Sequence, residues 1–478
     1  MSDSQLPPAR AFQGVIPAVI ATCAQDGTPN VTYLSQVFRI DAERVALSCQ
    51  FFNKTKQNVL QNRRAYVQIY DPITFDAYHL TLRYEHSETS GPLFDVMSLR
   101  IQAIASHTGM AGVFKLISAD IYEVEKCERI EGYMLDEPRA AGAEEPEPDR
   151  RYARRSELFG LQLISQRACQ AGDLEALLSN VLLTMEEAFE FGHAMVLMPD
   201  ESGEKLFAVA SRGYGEEGIG AEVVMGEGLI GTVARERRIL RLAKVDTELR
   251  YGRAIRATAL QMGGRRALGP EIPLPGLPDA QSHMALPLLA GERLIGVLAV
   301  ESKQPLAFDE WDEAFLEIVT NQVAVAIDNV LLRAASDDDA EPRGAPHVPA
   351  PALRGGSPHM PAPANDPVLR VRFFKSDDCI FVGDEYLVRN VPGRILWKLL
   401  REHVENGRSE FSNRELRLDA WLGLPALRDN LESRLVLLRK RLEQKCPQLK
   451  MVSTSRGHFR LEAFCRLALE DSEAAAPK

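Results

Sequence analysis

Paired cysteines are missing from this chain. Cys23, Cys49, Cys127, Cys169, Cys379, Cys446 and Cys465 are scattered, odd in number and never in a CxxC pair. A disulfide framework or a zinc site needs thiols paired or clustered at short spacing, so neither is expected, and most of these thiols read as reduced, buried fillers. A redox-sensing thiol is the minor alternative. Long apolar runs are also missing: none reaches eighteen residues, and the first ten residues lack a basic stretch followed by a hydrophobic one. Neither a membrane span nor a secretion signal is expected, which points to the cytoplasm. No acid–base pair and no nucleophile with a neighbouring base stands out, so no catalytic and no metal-ligating residue is assigned.

What is present is modular. At 478 residues, and about 100–200 residues per domain, three domains are expected. The segments 136–151 and 336–367 are rich in Pro, Ala, Gly and charge and lack the apolar periodicity that would offset ordering entropy. Prolines make the second an extended, semi-stiff tether. The expected division is a first domain at 12–132, a linker at 133–153, a second domain at 154–335, a disordered linker at 336–367 and a third domain at 368–466. The whole chain carries a formal charge of −11, whereas 368–466 holds 20 Lys and Arg against 13 Asp and Glu, about +7. A locally basic domain on an acidic protein concentrates positive charge where phosphates would be met.

In the first domain, alternation and turn signals predict strands at 15–24, 29–40, 44–50, 65–70, 75–85 and 115–127, with helices at 55–62 and 92–106. That order, with PAVIAT from residue 17, DGTPNV from 26 and VALSCQFFNKTKQN from 45, resembles the split β-barrel of the pyridoxamine 5′-phosphate oxidase family. The resemblance implies FMN bound between two subunits, its phosphate held at the strand-to-helix corner Ser48, Gln50, Asn53, Lys54, Thr55 and Lys56. A helix amino terminus offers free N–H groups and a positive dipole end to an anion. Haem or a deazaflavin is an alternative occupant, and the plainer reading has Lys54 and Lys56 only solvating a surface turn. Nothing after Cys127 resembles the substrate-holding region of the family's oxidases, so pyridoxamine oxidation is not expected.

The second domain opens with predicted helices at 155–171 and 174–189 and strands at 194–199 and 206–212. MGEGLIGTVAR from residue 225, PLLAGERLIGVLAVES from 287 and a closing helix at 310–333 follow. These resemble a GAF domain, an α/β/α sandwich, which implies a small-ligand pocket beneath a helix-bearing loop, here 246–283. No Cys lies between Cys169 and Cys379, so a covalently held bilin is excluded. A GAF domain serving only as a dimerising spacer is the alternative. Leu158, Leu161 and Ile164 or Ser165 in the first helix approximate a seam, and Phe315, Ile318, Val319, Gln322, Val323, Ala326, Ile327 and Val330 form a broad stripe in the last. A homodimer is expected.

In the third domain Leu431, Leu435, Leu438 and Leu442 repeat at i, i+4, i+7 and i+11, one side of a helix. Strands at 368–377 and 379–388, helices at 392–400 and 412–418, this helix and a hairpin at 450–461 resemble the winged-helix effector domain of OmpR-type response regulators. The resemblance implies DNA contact by Asn430, Ser433, Arg434, Lys440 and Arg441 on the helix and Thr454 and Arg456 on the wing. Val436 and Leu437 are expected on the exposed side, facing either thymine methyls or a protein partner. A structural helical cap is the bland reading.

Together these features predict a multidomain α+β protein, a cytoplasmic sensory transcription regulator with DNA, a small-molecule effector and a second copy of itself as partners. No receiver module is recognisable, so phosphate-driven control is not expected. The long tether makes masking and release of the winged helix the expected form of control. The alternative is a flavin-dependent oxidoreductase of the pyridoxamine oxidase-like class with regulatory GAF and winged-helix domains.

Overall fold

The computed structural model describes residues 6–50, 54–130, 150–200, 202–214, 218–261, 276–340, 368–424, 431–455 and 457–472. The expectations at Asn53, Asn430 and Arg456 lie outside them. After a short 3-10 turn (Ala9–Phe12) the first domain runs β1 (Ala18–Cys23), β2 (Pro29–Leu34), β3 (Val37–Arg39), β4 (Arg44–Cys49), α1 (Lys54–Asn62), β5 (Arg64–Tyr70), β6 (Ala77–Glu88), α2 (Pro92–His107) and β7 (Ser118–Arg129). Inward and outward residues alternate along β1 and β5, the period of a strand with one face on a core. The sheet order is β2-β1-β5-β6-β7-β4-β3. β2 and β3 sit at opposite ends of that order, yet only Ser35 and Gln36 separate them in the chain. The two ends can meet only if the sheet curls, and the resulting half-barrel encloses Ile20, Val45, Val67, Leu80 and Leu82. The single strand expected at 29–40 is therefore broken where the chain crosses from one sheet end to the other.

The second domain comprises α3 (Arg150–Gln170), α4 (Leu174–Phe189), β8 (His193–Pro199), β9 (Lys205–Arg212), β10 (Glu222–Val224), α5 (Gly228–Glu236), β11 (Leu240–Leu242), α6 (Val245–Gln261), β12 (Ser282–Ala290), β13 (Arg293–Ser302) and α7 (Glu310–Ala340). Its sheet, β10-β9-β8-β13-β12-β11, is covered on both faces, so β8 and β12 read as continuous apolar runs. Ala194, Val196 and Met198 point to α3, α4 and α7. Met195 and Leu197 point to α5 and α6.

Helix α2 belongs to both domains. Met97, Ile101 and Ala105 pack on the half-barrel, while Leu99, Ala103 and Ile104 enter the second domain's core. Apolar residues on two sides bury the helix from two sides, while Val96 near its start stays exposed. Segment Glu310–Arg333 of α7 is long and apolar enough to cross a membrane, with mean hydropathy 1.4. Its Leu316, Val319, Val323 and Ile327, however, are core residues of the second domain.

The third domain runs β14 (Val368–Phe374), β15 (Cys379–Val382), β16 (Glu385–Val388), α8 (Asn390–Asn406), β17 (Glu410–Ser412), α9 (Asn413–Leu418), α10 (Leu431–Lys445), β18 (Leu449–Ser455), β19 (His458–Ala463) and β20 (Arg466–Ser472). Its sheets are β16-β15-β14-β20 and β17-β19-β18. Ser412 and Glu415 cap the short α9 reciprocally. Leu431, Leu435, Leu438 and Leu442 all enter the domain core, as their spacing requires.

The expected boundaries shift in three places. Helix α3 starts two residues after Pro148, inside the expected first linker, and α7 continues to Ala340, inside the second. No Gly or Pro interrupts either extension, and lengthening an existing helix is far easier than nucleating one. Strand β20 carries the third domain past residue 466, pairing in parallel with β14 and bringing Leu467 and Leu469 onto the core.

Candidate functional site

Four of the residues expected to hold a phosphate do come together. Ser48, Gln50, Thr55 and Lys56 line a cavity of about 60 Å3 with Ser35, Asp120 and Tyr122. Ser48 Oγ lies 2.8 Å from Ser35 Oγ and accepts from the Gln36 amide at 3.2 Å, while Gln50 Nε2 donates to Ser35 Oγ. Lys54 stands exposed, outside this lining. Lys56 turns inward: its Nζ donates to Ser87 Oγ at 2.6 Å and pairs with Asp120 Oδ1 at 2.5 Å, both charges nearly out of solvent. Ser87 and Ser118 hydroxyls donate to the same carboxylate oxygen, each at 2.7 Å. The lysine charge is thus balanced within the fold.

Ser35, Asp120, Tyr122 and Tyr251 also line this cavity and were not expected there. Asp120 sits at an inward position of β7, and an acid in that register was the available signal. Tyr251 comes from α6 of the second domain, and nothing in its own neighbourhood marks it. Burial pushes the Tyr251 hydroxyl above its ordinary value, against a hydrogen bond to Ser35.

The joint between the first two domains is made at a helix end. Helix α5 has no side-chain cap of its own. Its first amides are capped from α2 instead: Gly228 N donates to Ser106 Oγ at 2.8 Å and Leu229 N to His107 Nε2 at 2.9 Å. An accepting Nε2 requires the unprotonated ring. Only glycine fits at 228, where φ is +64° and a Cβ would stand 2.9 Å from the imidazole. Arg100 of α2 pairs with buried Glu248 of α6, and Arg238 Nη2 reaches Asp95 Oδ2 at 2.9 Å. Burial pushes the Glu248 carboxyl up, outweighing the guanidinium beside it.

The expected DNA-reading helix is not bare. Ser433, Arg434, Val436 and Leu437 are buried, and Val436 joins the core of the second domain. The expectation that Val436 and Leu437 face outward is corrected: α10 docks on α4 and β9, and two adjacent apolar side chains on a polar face are what drive that burial. Lys440 and Arg441 are half-buried and Thr454 is exposed on β18. Arg439 Nη1 meets Glu175 Oε2 at 3.2 Å and Lys440 Nζ meets Glu175 Oε1 at 3.1 Å. The Arg441 guanidinium lies on Gly220, where a Cβ would stand 2.6 Å from Nη2. Arg389 forks onto Glu222, Nε to Oε1 at 2.8 Å. Burial pushes the Glu222 carboxyl up, but Arg389 and Lys205 together hold it below its ordinary value. Among the described residues no cluster of three or more His, Cys, Asp or Glu could hold a metal.

No curated protein matches the chain. Among solved structures it is similar to the GAF domain of an Acinetobacter phosphoenolpyruvate-protein phosphotransferase, at 24% identity over 36% of this chain and 93% of that one, TM-score 0.28. It is also similar to free methionine-R-sulfoxide reductase from Neisseria meningitidis, at 18% identity over 37% and 91%, TM-score 0.30. A third similarity is to an FMN-binding protein from Syntrophomonas wolfei, at 16% identity over 26% and 83%, TM-score 0.22. The GAF domain family matches residues 173–327. That stretch, with its glycine-bearing α5 and two-faced sheet, is a GAF domain.

Proposed function

We propose that this chain is a sensory transcription regulator held in a masked state, its GAF domain acting as the cover of a winged-helix DNA-binding domain. The observation that carries this reading is the seat of α10. The side that would enter a major groove carries Arg434, Val436 and Leu437; all three are buried, Val436 sits in the GAF core, and Arg434 and Leu437 face the GAF strands across a cleft. The covering surface is acidic where it matters: Glu175 takes Arg439 and Lys440, and Glu222 takes Arg389. Carboxylates here occupy the place that backbone phosphates would take on a duplex. A signal that loosens the GAF contact frees the same cations for DNA. Ser433, Arg434, Lys440, Arg441 and Thr454 are the described residues proposed to touch it.

The upstream half supplies the signal. FMN is the proposed ligand of the first domain, with Ser48, Gln50, Thr55 and Lys56 around its phosphate. At about 60 Å3 the cavity is well below the ~300 Å3 of a complete small-ligand site, so a second subunit would have to complete it. Apolar residues stand outside the core where a twofold partner could meet them. Ile318, Val325 and Leu332 are exposed on α7 at heptad spacing, and Leu158 and Phe159 are exposed on α3. A homodimer would bury both sets. Tyr251 at the first-domain cavity and the α2 caps on α5 connect a ligand there to the GAF fold.

The test is DNA retention by the full chain on its own upstream region at low salt, beside the Glu175→Ala/Glu222→Ala double variant. The variant should bind at least tenfold more tightly than the parent, and both should weaken steeply with salt. If neither binds, the regulator reading fails.

A further inference from the structure

A cleft of about 520 Å3 separates the outer GAF strands β9 and β10 from α8 and α10. Its lining carries five cationic side chains, Lys205, Arg389, Arg394, Arg434 and Arg441, against three carboxylates. Glu222 is shared by Arg389 and Lys205, Asp378 lies 3.4 Å from Arg394 Nε, and over the whole lining cationic side chains outnumber carboxylates five to three. The same space is bordered by the rings of Phe207 and Tyr386 and by Leu437. Its size is that of a small-ligand site, about 300–1,000 Å3. A bare inorganic anion would satisfy the charge and leave the apolar border wet. A neutral apolar ligand would do the reverse and strand guanidinium groups in a narrowing dielectric.

We propose that this interdomain cleft binds a small anion bearing an aromatic ring, of about the size of a nucleotide, with contacts from both walls. The GAF wall and the carboxy-terminal wall face each other only while the domains are docked. The ligand therefore binds the docked form and favours it, and anything that separates the domains expels it. Taken with the regulator reading, on which this consequence rests, the ligand keeps Arg434 and Arg441 from DNA, and DNA and ligand compete.

The probe is trinitrophenyl-ATP, titrated by fluorescence into the full chain. Saturable binding is expected, weakened at least tenfold by Arg394→Gln on one wall and by Lys205→Gln on the other. Bound probe should also slow amide exchange in α10. Absence of saturable binding, or binding unchanged in both variants, overturns the proposal. Loss on Lys54→Gln in place of these variants would put the nucleotide at the first domain and overturn it too. A chain that binds the probe as described but never retains DNA keeps the site and refutes the regulator reading.

Discussion

Arg439 on α10 and Glu175 in the first turn of α4 meet across the boundary between the carboxy-terminal and GAF domains, Nη1 to Oε2 at 3.2 Å. Glu175 also takes Lys440, so one carboxylate ties down two successive cations of a helix whose other side is the core of its own domain. A partly exposed ion pair contributes up to about 1 kcal/mol. Glu175→Gln should therefore raise the undocked fraction by roughly fivefold. Mobility shift on the upstream DNA and the amide exchange of α10 should move together, and exchange unchanged by the substitution would show that Glu175 does not hold the domains.

Leu435 and Val436 are neighbours with opposite duties. Leu435 lies in the carboxy-terminal core and Val436 in the GAF core. Leu435→Ala should cost its own domain about 2–5 kcal/mol, seen as a lower melting temperature. Val436→Ala removes two methyl groups from the docking contact, about 1–2 kcal/mol, and should loosen the domains without lowering the carboxy-terminal melting transition. Equal losses of melting temperature in the two variants would contradict the assignment.

The same pair shows how far the sequence could be read. The leucine stripe at 431, 435, 438 and 442 faces a core because helical spacing leaves it no other choice. Periodicity also located α1, α4 and the hairpin of β18 and β19 to within a residue or two. What it could not locate was whatever depends on a second domain. Val436 and Leu437 read as exposed because their partner surface lies on α4 and β9, distant in the chain. Helix α2 was legible as a helix at 92–106, but its burial between two cores was not. Lys56 looked like a ready cation because Asp120 is remote in sequence, although β4 and β7 pair side by side.

That buried pair makes its own prediction. Lys56→Met leaves Asp120 charged and nearly buried without its counter-ion, a change that typically costs about 3–5 kcal/mol. Lys54→Met, at an exposed position, should cost under about 0.5 kcal/mol. Denaturant unfolding of the two variants should separate them clearly. Comparable stability would show that the Lys56–Asp120 pair is not part of the fold's own charge balance.

The caps that α2 places on α5 should matter to both domains. Losing a helix cap costs about 0.5–2 kcal/mol, so Ser106→Ala should lower the melting temperature by a few degrees. His107→Phe keeps the ring's bulk, removes the acceptor for Leu229 N and should do the same. Because the two residues serve adjacent amides, the double variant should fall short of the sum of the singles if the helix end simply rehydrates. Native-state exchange at Gly228 and Leu229 reads this directly, and unchanged protection there would refute the capping role.

Acid should undock the carboxy-terminal domain, and Glu222 gives the sign. Burial alone would push its carboxyl up, but Arg389 across the boundary and Lys205 beside it hold it below the ordinary value. In the undocked chain Arg389 is gone and the carboxyl returns toward that ordinary value, 4.5. A group with a depressed value in one state stabilises that state at pH above the ordinary value and loses the contribution as pH falls through the depressed one. Docking should thus be constant near neutrality and weaken below about pH 4.5, seen as a growing radius of gyration in solution scattering or as faster exchange in α10. Glu222→Gln should flatten this dependence and lower docking at neutral pH to a similar extent. If the variant kept the full acid response, other carboxylates would be responsible for it and the Glu222–Arg389 contact would not be a determinant of docking.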